Sequence, residues 1–379
     1  MEEHERNMEG TSTDKEPVGG ESTEPAEAVP DAQDVPEDDT QLNAALKNLG
    51  GSLVNLEEAL NKVARSLEGL REAQRTYARL GWAMFLILPV TYLLQIPAAV
   101  LLNHFHPGWQ DTWLFWAVSF APLYCAAIPL ALWVMRRIPA KPPEERVLGP
   151  WRFAALFPVT LVLTYGGSAV SMLILNLLSR SFGTSAENPL ADILSGDTAP
   201  LLRTVLMVCI APAVEEYVFR KAVLDRTRMY GEKLALLASA VLFALSHGNL
   251  SQFVYALLVG LVFGYAYLRT GQLRYSIALH VFVNFMGAVA APFVLQYADG
   301  AEQGVTPGGV IVILFGLAVL LLCGGGIALL ADNWRNLHFE AAELELPRGV
   351  RFRTAFAHPG MALLFLSFVV TSVITLLNT

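Results

Sequence analysis

Residues 211–226 read APAVEEYVFRKAVLDR, and they set two adjacent carboxylates, Glu215 and Glu216, at the end of an apolar run that begins near Leu201. A run of about 20 apolar residues spans a bilayer as a helix. Acids at such a place cost free energy unless they are paired or face a wet cavity. The surrounding chain makes the bilayer reading compelling. Of its 379 residues 54% are hydrophobic and only 16% are charged, and the mean hydropathy is positive. A water-soluble domain does not have this composition. The expected fold is all-α: a polytopic membrane bundle of eight or nine helices.

The net charge of −8 hides two bodies. Residues 1–41 carry fourteen Asp or Glu against two Lys or Arg, which gives −12 and leaves +4 for the rest. With Pro17, Pro25, Pro30 and Pro36 among polar residues, this tail lacks the apolar surface to offset the entropy of ordering, and is expected to be disordered. It has no basic region leading into an apolar one, so no cleavable signal is expected. Cys125, Cys209 and Cys323 lie in apolar segments and read as small buried hydrophobes, not as a disulfide or metal framework. No nucleic-acid partner is expected.

A periodic signal follows: Leu42, Leu46, Leu49, Leu53, Leu56, Leu60, Val63, Leu67, Leu70, then Gln74 and Tyr77, in alternating steps of four and three. This heptad pattern predicts an amphipathic, coiled-coil-like helix over 42–78, with Gly50 and Gly51 weakening its start by about 1 kcal/mol each. Two readings stay open. The helix lies on the membrane surface or its own domain, or residues 42–77 self-associate or take a partner helix.

From Leu80 the membrane domain, 79–379, shows nine apolar segments, near 80–103, 112–135, 153–178, 200–219, 234–247, 253–268, 275–297, 309–331 and 360–378. The segment at 234–247 is short, so eight spans with a broken or re-entrant element there is the variant. Basic residues concentrate in alternate loops: Arg136 to Arg146, Lys221 to Lys233, Arg269 to Arg274, and Arg335 to Arg353. Loops rich in Lys and Arg face the cytoplasm, which puts the N-terminus there too. The connections holding Glu187, Asp192, Asp197, Asp299 and Glu302 fall on the opposite side.

Three polar groups interrupt the apolar core at 200–297: EEYVFR at 215–220, FALSH at 243–247 and HVFVN at 280–284. Helical spacing puts Glu216 and Arg220 on one face and turns Glu215 about 100° away, so one acid is offered a salt bridge and the other stays free. His280 and Asn284 share a face. With a turn at Gly231, Glu215 and His247 each stand sixteen residues from it, about 24 Å at 1.5 Å per residue. His280 is only six residues from Arg274, which requires tilt or a broken helix. Each motif alone reads equally as a core histidine, or as acids balanced by Arg220, Lys221 and Arg226 at a helix end.

Together, in this order, the three elements resemble the CPBP family of intramembrane proteases, which includes the CAAX prenyl endopeptidases, through its EExxxR, FxxxH and HxxxN motifs. The sequence contains no HExxH, GxGD or GxSG motif of other intramembrane proteases. The resemblance implies a peptidase in which Glu215 is the catalytic glutamate and His247 stands beside it on the attacking water. It makes His280 and Asn284 the oxyanion side, and Glu216, Arg220 and Phe243 structural support. The family reading implies a peptide or protein substrate with a lipidated or membrane-bound tail, and a bacterial inner membrane. A metal-free mechanism is preferred, because no spacing typical of a zinc helix appears and Asn is an unusual zinc ligand. If zinc binds, its ligands are Glu215, His247 and His280. A non-proteolytic scaffold on the same fold, and a proton pathway, are the alternatives from other classes.

Overall fold

A computed structural model describes residues 39–184, 199–298, 306–344 and 346–377. The tail up to residue 38 and the connections holding Glu187, Asp192, Asp197, Asp299 and Glu302 lie outside them. The described residues form helices and no strand. Contacts divide the chain into a unit ending at Ala59 and one running from Leu60. In the first, Leu42, Leu46, Leu49, Leu53 and Leu56 are all exposed on their helix. The contacts described below lie within the second.

The heptad helix and the first span are one element, α1, Asp39–Phe105. Then come α2 (Trp113–Met135), α3 (Pro150–Phe182), α4 (residues 200–227), α5 (Glu232–Ser246), α6 (Leu250–Thr270), α7 (Leu273–Leu295), α8 (Pro307–Asn333) and α9 (Pro359–Leu377). Seven of these are long and apolar enough to cross a membrane, and the protein is an integral multi-pass membrane protein. The two exceptions have physical reasons. The α4 helix carries Arg203, Glu215, Glu216, Arg220 and Lys221. The α5 helix has only 15 residues and ends at the turn His247–Gly248–Asn249, from which α6 returns. The short segment at 234–247 is thus half of a hairpin.

Wide, π-type turns interrupt three helices at Pro122–Ala127, Val205–Ile210 and Met286–Ala290. Each lies two residues before a proline: Pro129, Pro212 and Pro292. A proline inside a helix has no N–H and its ring clashes with the carbonyl four residues back; widening the turn moves that carbonyl aside. A fourth wide stretch, Tyr217–Leu224, has no proline and directly follows the glutamate pair.

The basic loops meet at one end of the bundle. Lys141 N–H donates to the Asp225 carbonyl at 2.6 Å, Arg146 N–H to that of Thr270 at 2.8 Å, and Glu343 N–H to that of Met229 at 3.0 Å. Glu232, almost fully buried, accepts from Arg228, Arg269 and the Glu340 N–H. At the same end Thr76 and Tyr77 of α1 pack on Tyr230. In the interior α6 packs between α3 and α5, through Ala256, Gly260 and Gly264, spaced four apart. A Cβ on Gly260 would stand 3.1 Å from Phe243 and 3.3 Å from the Ala240 Cα. Small residues at such a seam let helices in lipid approach closely.

Candidate active site

The site is built where α4, α5, α6 and α7 face one another. Glu216 and Arg220, both 0% exposed, form an ion pair with Nε 3.0 Å from Oε2, an alignment short of a hydrogen bond. The guanidinium lies over two rings, 4.9 Å from the centroid of Phe243 and 5.7 Å from that of Phe263. Among the described residues its Nη1 and Nη2 have no hydrogen-bond partner, so the aromatic faces are what solvate them. Glu215 differs from its neighbour in one decisive respect: its side chain is 25% exposed.

His280 joins the two acids. Its Nδ1 is 3.0 Å from Glu216 Oε1 and its Nε2 is 3.8 Å from Glu215 Oε2. Arginine is always charged, and a carboxylate paired with it can only accept. Nδ1 therefore donates, and in the neutral ring Nε2 presents a lone pair toward Glu215. His247 is fixed the same way, since its Nδ1 lies 2.8 Å from the Phe243 carbonyl, which can only accept. The Phe243 ring stands edge-on to both imidazoles, with centroids 4.8 Å from His247 and 5.5 Å from His280. Asn284 donates from Nδ2 to the Met207 carbonyl at 2.8 Å and keeps one N–H in hand.

The seven residues singled out from the sequence thus gather in one place. His280 lies only a few residues into α7, yet it meets Glu216, eleven residues before the end of α4. The wide stretch Tyr217–Leu224 takes up part of the difference, because π turns put more residues into each turn than an α-helix does. Sequence reasoning missed Phe263, stacked on His280 at 5.1 Å, and Ser239, whose hydroxyl donates to the Phe219 carbonyl. It also missed the polar string of Asn249, Gln252 and Tyr255 beyond His247, and Tyr124 and Tyr255, which lie within range of the Glu215 charge. The repeated small residues of α6 were the available signal for Phe263.

Residues 197–286 match a family model described as Rce1-like, type II CAAX prenyl endopeptidase. This segment is Rce1-like. It holds all three motifs and the helices α4 to α6, and the family resemblance read from those motifs stands. Helices α1 to α3, α8 and α9 are outside it. Comparison with curated proteins and with solved structures gives no match.

The donor set also bears on zinc. Two imidazole Nε2 atoms and a carboxylate are chemically suitable ligands, with Nδ1 of each ring held by an outer acceptor. Among the described residues, however, no three His, Cys, Asp or Glu side chains come together as a group that could hold an ion. The arrangement as it stands does not fit the metal, and no step is derived through one.

Proposed function

We propose that the protein is an intramembrane endopeptidase of the CAAX-protease type, hydrolysing a peptide bond in or near the bilayer with Glu215 as the base. The observation that carries this reading is His280, set between the buried, arginine-paired Glu216 and the accessible Glu215. Glu215 removes a proton from water while the lone pair of His247 Nε2 accepts the other hydrogen and aims the oxygen. The oxygen attacks the carbonyl carbon. The remaining Asn284 N–H donates to the developing oxyanion. His280 joins as donor once the proton on Glu215 reaches its Nε2. As the intermediate collapses the C–N bond breaks and the amine leaves with that proton, while the hydroxyl proton of the new acid passes to His247 Nε2 and on to solvent, releasing the carboxylate. A base of this kind is worth about 10² to 10⁴ in rate, and an oxyanion donor about 2.7–4 kcal/mol.

The substrate is a protein or peptide whose tail is lipidated or membrane-bound. The enzyme sits in a bacterial inner membrane with its N-terminus in the cytoplasm. The convergence of the basic loops at one end of the bundle supports that orientation.

The test compares new peptide termini in membranes containing wild-type protein or Glu215→Gln at matched folded levels, with a chelator in a parallel arm. Termini that require Glu215 and survive the chelator are expected. Termini lost with the chelator support the zinc reading. Identical termini in both membranes reject proteolysis in favour of a scaffold.

A further inference from the structure

The leucine stripe of α1 is used by nothing in the site. Eight residues, Leu42 through Leu67 at the heptad positions, are each 52–67% exposed, whereas further along Leu70, Ala73 and Tyr77 are covered by a cluster with Tyr230, Leu346 and Ala355. The chain's own tail is no candidate cover, since residues 1–38 contain no Leu, Ile or aromatic residue.

Two further observations decide what covers it. A helix lying on a membrane carries Lys and Arg beside its apolar face. Here the positions on one side of the stripe are Ala45, Ser52, Ala59 and Ser66, and on the other the one charge over the exposed length is Glu57. Residues 42–70 contain three basic and three acidic residues, for a net charge of zero, so anionic lipid exerts no net pull. Equally, nothing repels an identical helix, because no like charges face each other across a parallel pair. Continuity supplies the register. The stripe leads into the first span along the chain, so two copies inserted in one membrane present it in the same chain direction and starting from the same residue.

We propose that residues 42–67 pair in parallel and in register with the same segment of a second copy of this chain. Leu46, Leu53 and Leu60 alternate with Leu49 and Leu56 along the seam, and the small residues beside them let the backbones approach. The assembly is independent of the reading given to the catalytic site.

The experiment uses the full chain in native membranes, with Cys125, Cys209 and Cys323 replaced by Ser and single cysteines placed at Leu53, Leu56 or Leu60 on the stripe, or at Glu58 or Arg65 on the outer face. A short bis-maleimide is expected to give a product of twice the chain mass from the stripe positions and several-fold less from the outer ones. Equal yields, no doubled product, or an adduct of another mass overturns the proposal. As a second measurement, Leu53→Asp with Leu60→Asp should convert the extracted protein from dimer to monomer without changing thermal unfolding of the membrane domain. A wild-type protein already monomeric in membranes and in mild detergent likewise overturns it.

Discussion

The carboxamide of Asn284 donates to the main-chain carbonyl of Met207 at 2.8 Å, and Pro212 is the reason that carbonyl is free. In the wide turn Ala211 N–H goes to Leu206 O. The next amide in that register belongs to residue 212, a proline without an N–H. Asn284 fills the vacancy from another helix, and so ties the helix of His280 to the helix of Glu215.

Two substitutions separate this tie from oxyanion chemistry. Asn284→Ala should lose about 1–3 kcal/mol of stability through an unsatisfied carbonyl, together with most of the activity. Pro212→Ala should hold or raise stability, since proline costs about 3 kcal/mol inside a helix. It should still lose activity, because closing the wide turn rotates Glu215. Thermal unfolding and peptide cleavage on the same preparations read both.

Glu215 and Glu216 should respond in opposite ways. Arg220→Ala leaves Glu216 buried without its cation, held only by the His280 hydrogen bond, and removing one partner of a buried pair costs about 3–5 kcal/mol. Glu215→Gln, at a partly open position, should change stability little and abolish cleavage. The yield of folded protein and its melting temperature discriminate the two. Equal destabilisation by both would argue against the division of roles.

At the α5–α6 seam, Gly260→Ala puts a methyl 3.1 Å from Phe243, the ring that both imidazoles touch. Overpacking of this kind costs about 1–3 kcal/mol. The displaced ring should lower cleavage by the folded fraction as well as the amount of folded protein. Gly166→Ala, whose added Cβ meets nothing, is the control.

A pH dependence is expected from His358, in the loop before α9. Its Nε2 lies 3.0 Å from the Ala355 carbonyl, so Nε2 donates, and its Nδ1 accepts from Met361 N–H at 3.3 Å. That arrangement needs the neutral ring. Burial, only partly opposed by the bond to Ala355, holds its pKa below the ordinary 6.5. A lowered folded-state pKa means that its stabilising contribution is complete above the unfolded-state value. The contribution is lost as pH falls through the folded one. Melting temperature should therefore drop on acidification below about pH 6.5, and less steeply in His358→Gln. An unchanged slope would remove His358 from the account.

Much of this molecule was legible as a string. Apolar runs of bilayer length, the heptad spacing of Leu42 to Leu70 and the three polar motifs depend only on residue type and local periodicity, which covalent geometry converts directly into helices and faces. Even the wide turns are written in the sequence, since three of them precede Pro129, Pro212 and Pro292. What tertiary structure alone decided is how those helices are rotated against one another. Nearly every face of a span in this bundle is apolar, so periodicity carries little record of which face meets which neighbour. The tautomer of His280, the stacking of Phe263, the hairpin that halves the span at 234–247 and the partner of Asn284 all follow from that rotation. Each is a contact between side chains whose helices are joined only through packing.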